Sequence, residues 1–124
     1  MRDEAIRALA QKTAEASAAH WRDCLKAGLP DHTPDAHAEV DRCVAAYFQR
    51  LQMMPDPAEK SNILSAIEAL FLELDKVQAR YGPQLLETDE REIFVTAIIK
   101  AAELAGLDVY EFGHDDPTLK FRNF

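Results

Sequence analysis

One segment of the chain specifies a single α-helix with both ends marked, and it constrains the fold more than any other. An acidic run from Glu87 to Glu92 is followed by an apolar face that continues almost to Gly106. Thr88 is predicted to cap the helix with its hydroxyl, and the carboxylates complement the positive end of the helix dipole. Gly106 can adopt the left-handed conformation that ends a helix. The segment therefore predicts a helix over residues 89–105.

Three further helices are predicted from apolar residues that recur at intervals of three and four positions. The first covers about residues 3–27. The second begins after Thr33, which precedes a proline as a helix cap often does, and stops at Pro55. A capping box at residues 56–59 starts the third helix, which ends at Tyr81.

Four helices joined by short links predict an all-α fold, a four-helix antiparallel bundle or a close relative of one. The 124 residues, 48% of them apolar, suffice for a single domain over residues 1–124 whose core needs neither a metal nor a disulfide. Residues 107–124 have no helical period but contain several aromatic side chains. We expect them to form an irregular C-terminal strap over the bundle.

The charge of the chain narrows the classes of partner. The sequence has 22 acidic and 14 basic residues, and residues 63–124 hold 12 of the acidic and 6 of the basic ones. Such a surface repels nucleic acid and anionic membranes, so neither is expected as a partner. No apolar run approaches the roughly 20 residues of a membrane span, and the charged amino terminus is unlike a signal peptide. A cytoplasmic protein with a basic protein partner is predicted.

The sequence contains no motif that is typical of an enzyme. It has no G-x-S-x-G nucleophile elbow, and its four glycines are too dispersed to form a phosphate-binding loop. We therefore predict no catalytic residues and no cofactor, and a protein that is not an enzyme.

Two residue pairs form the alternative to that prediction. His20 and Cys24 lie four positions apart in the first helix, and His37 and Asp41 have the same spacing in the second. If the two helix faces met, the pairs would offer nitrogen, sulfur and oxygen ligands to zinc or another transition metal. The alternative hypothesis is a helical-bundle protein or enzyme that binds a metal or a small ligand. The spacings match no established metal motif, so the preferred interpretation assigns no metal.

The preferred interpretation is a protein-binding surface in the second half of the chain. Its carboxylates would steer a cationic partner, and its aromatic side chains would anchor the partner. A homodimer formed through the alanine-rich first helix is a further possibility. The predicted partner-binding residues are Glu87, Asp89, Glu90, Glu92, Tyr110, Phe112, Asp115 and Asp116.

A resemblance supports this interpretation. The segments Leu85-Leu86-Glu87-Thr88-Asp89-Glu90-Arg91-Glu92, Ala101-Ala102-Glu103-Leu104-Ala105-Gly106-Leu107 and Asp116-Pro117-Thr118 carry it. Over roughly residues 61–124 the pattern resembles a family of small, uncharacterised, all-helical bacterial proteins, which are similar to immunity proteins of toxin systems. The resemblance implies a compact acidic protein that neutralises a cognate toxin domain by covering its active site or locking its fold. It implies no catalytic residues.

Overall fold

The structure, a computed structural model, describes residues 2–111, 116–118 and 121. These residues form an all-α bundle, which confirms the predicted fold class, and they include no β-strand. No helix in these ranges is long and apolar enough to cross a bilayer. The elements are the helices α1 (Arg2–Lys26), α2 (Pro34–Met53), α3 (Lys60–Tyr81) and α4 (Thr88–Ala105), and the short 3-10 helix η1 (Val109–Glu111).

Helix α2 packs against α1, α3 and α4, and α1 also packs along α4. Large side chains from all four helices meet in one core, where each contributes about 1.5–3 kcal/mol through burial. One hydrogen bond crosses this core and links α2 to α4: the Tyr47 hydroxyl donates to the backbone oxygen of Ile98 at 2.8 Å. The fully buried side chains include Trp21, Tyr47, Phe48, Phe71, Phe94, Ile6 and Leu51.

Two of the predicted helix ends are confirmed. The Thr33 hydroxyl accepts a hydrogen bond of 3.1 Å from the backbone N–H of Ala36, so Thr33 caps α2 as expected. Gly106 is left-handed, and its N–H donates to the backbone oxygen of Glu103 at 3.0 Å. Both ends follow from local chemistry that is visible in the sequence.

Two other predicted caps are wrong. Helix α4 begins at Thr88 itself, and the residue in the cap position is Glu87, whose side chain makes no capping hydrogen bond. Helix α3 begins at Lys60 without a side-chain cap, so the expected capping box does not form. A tertiary contact holds the segment before α3 instead, since the Ala58 N–H donates to the backbone oxygen of Ala105 at 3.3 Å.

The described part of the C-terminal segment lies against the bundle, as the predicted strap requires. Leu107 and Val109 are buried, and Phe121 packs against the core. Tyr110 points outward and is 80% exposed. The described part of the strap therefore contributes buried aliphatic side chains, a partly buried Phe121 and an exposed Tyr110.

Candidate metal centre

The α1–α2 link and the α3–α4 link contact each other at one end of the bundle. The Asp31 carboxylate, in the α1–α2 link, accepts a hydrogen bond of 2.9 Å from the backbone N–H of Gln84 in the α3–α4 link. It lies so close to Gly82 that a β-carbon there would overlap it, and Gly82 has a φ of +136°. Trp21 of α1 also donates to the backbone oxygen of Thr33 at 3.1 Å. These contacts fix the position of the α1–α2 link.

Four donor side chains converge beside these links. His20 and Cys24 come from successive turns of α1, His32 from the α1–α2 link, and Glu90 from the first turn of α4. One ligand atom from each lies within 4.8 Å of those of the others. We call these four residues the metal centre.

The contacts inside the metal centre are short. Glu90 Oε1 lies 2.5 Å from His32 Nε2 and 3.1 Å from His20 Nε2. His20 Nε2 is in turn 3.4 Å from Cys24 Sγ. Two imidazoles, one thiol and one carboxylate thus lie in a space of a few ångströms.

Burial and hydrogen bonding act in opposite directions on Glu90, which is 4% exposed. Burial disfavours its charge, but hydrogen bonds from His20, its own backbone and His32 favour the charge more and lower the pKa of Glu90 below its usual range. The carboxylate is therefore ionised at neutral pH. The metal centre carries a buried negative charge.

The pKa of the Cys24 thiol is raised, whereas that of Glu90 is lowered. Burial raises its pKa, and the nearby charges of Glu90, Asp23 and Asp89 raise it further. Without a cation the thiol therefore keeps its proton at neutral pH. A bound metal ion would displace that proton, since the thiolate is the form that ligates metals.

His32 is 2% exposed and packs against Trp21, with ring centroids 4.8 Å apart. Its Nε2 faces Glu90, whereas its buried Nδ1 has no hydrogen-bond partner among the described residues. A buried polar atom without a partner costs about 1–3 kcal/mol. Native proteins contain few such atoms, so each one calls for a physical explanation.

A pocket of about 200 Å³ leads from the metal centre to the surface. All four centre residues line its inner part, and exposed or half-buried residues of the two links and of the start of α4 line its outer part. The pocket offers a path for a solute to the buried donors. Its outer lining consists of Leu29, Pro30, Asp31, Gln84, Glu87, Thr88 and Asp89.

The structure brings together only half of the ligand set that was expected from helical spacing. His20 and Cys24 are both in the metal centre, whereas His37 and Asp41 are not. His37 stacks on Trp21, with ring centroids 5.2 Å apart, and pairs with Asp41 at 3.1 Å. The Trp21 ring, which contacts both His32 and His37, separates the two groups.

The predicted partner-binding residues do not form one patch. Glu87, Asp89 and Glu92 are exposed at the start of α4, whereas Glu90 faces the interior and its charge is not available to a partner. Tyr110 follows the other end of α4, which at 18 residues is about 27 Å long. We call Glu87, Asp89 and Glu92 the acidic corner. Asp116 is half-buried, and Phe112 and Asp115 lie outside the described residues.

Sequence reasoning missed His32 as a ligand and misinterpreted Glu90. The spacing of α4 contained a clue, because Glu90, Phe94 and Ala97 lie four and then three positions apart on one face. Phe94 and Ala97 are buried, so the same face carries Glu90 into the core. His32 lies in a link without periodicity, and nothing local indicates where its ring points.

Comparison of the chain with protein-family models, with curated proteins and with solved structures gives no match. A fold alone does not specify a function, and four-helix bundles serve many. Function must therefore be inferred from the metal centre and the surfaces around it.

Proposed function

We propose that the protein binds one divalent transition metal ion, with Zn²⁺ the best fit, at His20, Cys24, His32 and Glu90. The supporting observation is that three separate segments place four donor atoms within 4.8 Å of one another in a buried site. Imidazole nitrogen, thiolate sulfur and carboxylate oxygen are the ligands that zinc takes in proteins. Mg²⁺ and Ca²⁺ prefer oxygen and are poorly served by this set.

The spacing of the donors suits a tetrahedral ion after a small adjustment. With zinc–ligand bonds of about 2.0–2.3 Å, neighbouring nitrogen and oxygen ligands stand about 3.3 Å apart, and nitrogen and sulfur about 3.6 Å. The contacts of His20 with Glu90 at 3.1 Å and with Cys24 at 3.4 Å are already close to this. Glu90 and His32, at 2.5 Å, must separate by just under 1 Å, and donor atoms near the 4.8 Å limit of the cluster must move closer together. Rotation of the side chains can supply both changes.

Charge balance also supports a divalent ion. The Glu90 carboxylate and a Cys24 thiolate together neutralise a charge of +2, so the loaded centre has no net charge to bury. Without the ion, the carboxylate is stabilised by hydrogen bonds from the two imidazoles and from its own backbone. The centre is thus better balanced with a metal than without one.

Cobalt substitution tests this proposal. Co²⁺ bound through a thiolate gives a sulfur-to-metal charge-transfer band, which should appear with one equivalent of Co²⁺ and disappear when excess Zn²⁺ is added. Cys24→Ser should abolish the band. Cys43→Ser is the matched control, because Cys43 lies outside the metal centre, and it should leave the band unchanged. A folded wild-type protein that binds neither ion would refute the proposal.

A second candidate function concerns the acidic corner. We also propose that Glu87, Asp89 and Glu92 capture a basic protein, in the manner of a cytoplasmic immunity protein that neutralises a bacterial toxin domain. The observation in favour is that these three exposed carboxylates form no salt bridge with any described residue. Unpaired charges on one corner steer an oppositely charged partner most effectively.

Charge reversal at the acidic corner tests the second candidate. Co-expression with the domain encoded by the adjacent gene should rescue growth and yield a complex that co-purifies. The triple variant Glu87→Lys, Asp89→Lys, Glu92→Lys should weaken that capture while the helical content of the protein stays the same. A harmless neighbour, or capture that the three lysines leave unchanged, would contradict this candidate.

A further inference from the structure

We propose that the acidic mouth of the pocket, formed by Glu87 and Asp89, captures hydrated divalent cations and guides them to the metal centre. This inference rests on the proposed metal-binding function and adds to it the route and the electrostatic basis of loading. It also assigns two residues of the acidic corner a role that needs no protein partner.

The lining of the pocket changes from buried to exposed residues. His32 and Glu90, both almost fully buried, line its inner part, whereas Glu87 and Asp89 are exposed at its outer part. Trp21, which is 2% exposed, packs against His32 with ring centroids 4.8 Å apart. An ion that enters between the two links therefore passes the two carboxylates before it reaches His32.

The charges along the pocket all have one sign. Among the described residues, no lysine or arginine lines the pocket. Its lining includes four acidic residues, which are Asp31, Glu87, Asp89 and Glu90. The negative charge of this lining attracts a cation. A cleft lined by one sign of charge can raise association rates by roughly 10- to 1,000-fold.

A further observation concerns the inner end of the pocket. The His32 ring, which is 2% exposed, lines the pocket, and its Nε2 lies 2.5 Å from Glu90 Oε1. The negative mouth thus leads to the buried donor atoms of the metal centre. A carboxylate pair that served only to stabilise the start of α4 would need no such pocket behind it.

Stopped-flow binding of Zn²⁺ to the full chain tests the inference. The double variant Glu87→Gln, Asp89→Asn should lower the association rate constant on the order of tenfold at low ionic strength, with the dissociation rate constant changed less than twofold. In 0.5 M salt, where the Debye length is about 4 Å, the difference from wild type should largely vanish.

The matched control removes the same charge elsewhere. Glu68 on α3 and Glu103 on α4 are exposed and do not line the pocket. Glu103 is 13 residues beyond Glu90, which is about 20 Å along the helix. The variant Glu68→Gln, Glu103→Gln should therefore load zinc at nearly the wild-type rate. Equal rates for the two double variants would overturn the inference while leaving the metal centre intact, whereas a wild-type protein that binds no metal would overturn both.

Discussion

Glu90 and His32 are 58 positions apart in the chain, yet the Oε1 of one lies 2.5 Å from the Nε2 of the other in the interior of the bundle. The contact joins the first turn of α4 to the α1–α2 link. It places a carboxylate and an imidazole where His20 and Cys24 of α1 can complete a set of four donors. The proposed metal-binding function depends on this contact.

Replacing the charge at Glu90 should destabilise the metal-free protein at neutral pH. Glu90→Gln keeps the shape of the side chain and one acceptor oxygen, but it removes the charge that strengthens the hydrogen bonds with His20 and His32, which should cost about 1–3 kcal/mol of unfolding free energy. Urea unfolding in the presence of a chelator measures this. The matched control is Glu103→Gln on the exposed face of α4, which should change the unfolding free energy by less than about 0.5 kcal/mol.

The difference in unfolding free energy between the wild-type protein and Glu90→Gln should depend on pH. Because the pKa of Glu90 in the folded protein is below its ordinary value of 4.5, its ionisation stabilises the fold above that pH. This contribution is lost as the pH falls through the lowered pKa. The wild-type protein should therefore lose its advantage over Glu90→Gln in acid. A gap in stability that stayed constant from pH 7 to pH 3 would show that Glu90 is not the ionised partner described here.

Zinc affinity should rise with pH. The pKa of Cys24 is raised in the metal-free protein, so the thiol must lose a proton when the metal binds. One displaced proton strengthens the apparent affinity by about tenfold for each pH unit between pH 6 and pH 8. Competition with a chromophoric chelator across this range measures the slope. A pH-independent affinity would mean that Cys24 is not a ligand.

Gly82→Ala should damage the metal centre from a distance. A β-carbon at Gly82 would overlap the Asp31 carboxylate, and the backbone there has a φ of +136°. Displacing Asp31 would shift the neighbouring His32, so zinc affinity should fall along with a loss of about 1–3 kcal/mol in stability. Gly28→Ala is the control, because Gly28 also has a positive φ but no atom near its β-carbon position. It should cost about 1 kcal/mol and leave zinc affinity unchanged.

Tyr47→Phe tests the hydrogen bond between α2 and α4 independently of the metal. The substitution leaves the backbone oxygen of Ile98 buried without its donor, which should cost about 1–2 kcal/mol. The urea midpoint should fall with no change in the slope of the unfolding transition. Zinc affinity should be the same as in the wild-type protein, because Tyr47 lies outside the metal centre. An unchanged midpoint would show that the hydrogen bond contributes nothing to the fold.

The fold could be predicted from the sequence because its determinants are local. Helical periods, the Thr33 cap and the left-handed Gly106 each act within a few residues, and all three appear in the structure. The predicted Thr88 cap and the predicted capping box before α3 are absent. Neither helix begins with a side-chain cap, and the segment before α3 is held by a backbone hydrogen bond between Ala58 and Ala105.

The metal centre could be predicted only in the part that is local. His20 and Cys24 share a helix face, and their spacing alone brings them together. His32 reaches the same place because Asp31 is fastened to the α3–α4 link, a contact across 53 positions that no local pattern encodes. The acidic run predicts that Glu90 stabilises the helix dipole and contacts a partner, but its register with Phe94 places it on the buried face.

Anomalous diffraction from zinc-loaded crystals tests the central claim most directly. Data collected on either side of the zinc absorption edge locate the ion without assumptions about its ligands. We expect one peak per chain, between His20 Nε2, Cys24 Sγ, His32 and the Glu90 carboxylate, with bonds of about 2.0–2.3 Å. A peak at the exposed carboxylates alone, or no ordered zinc in a fully folded protein, would contradict the proposed metal centre.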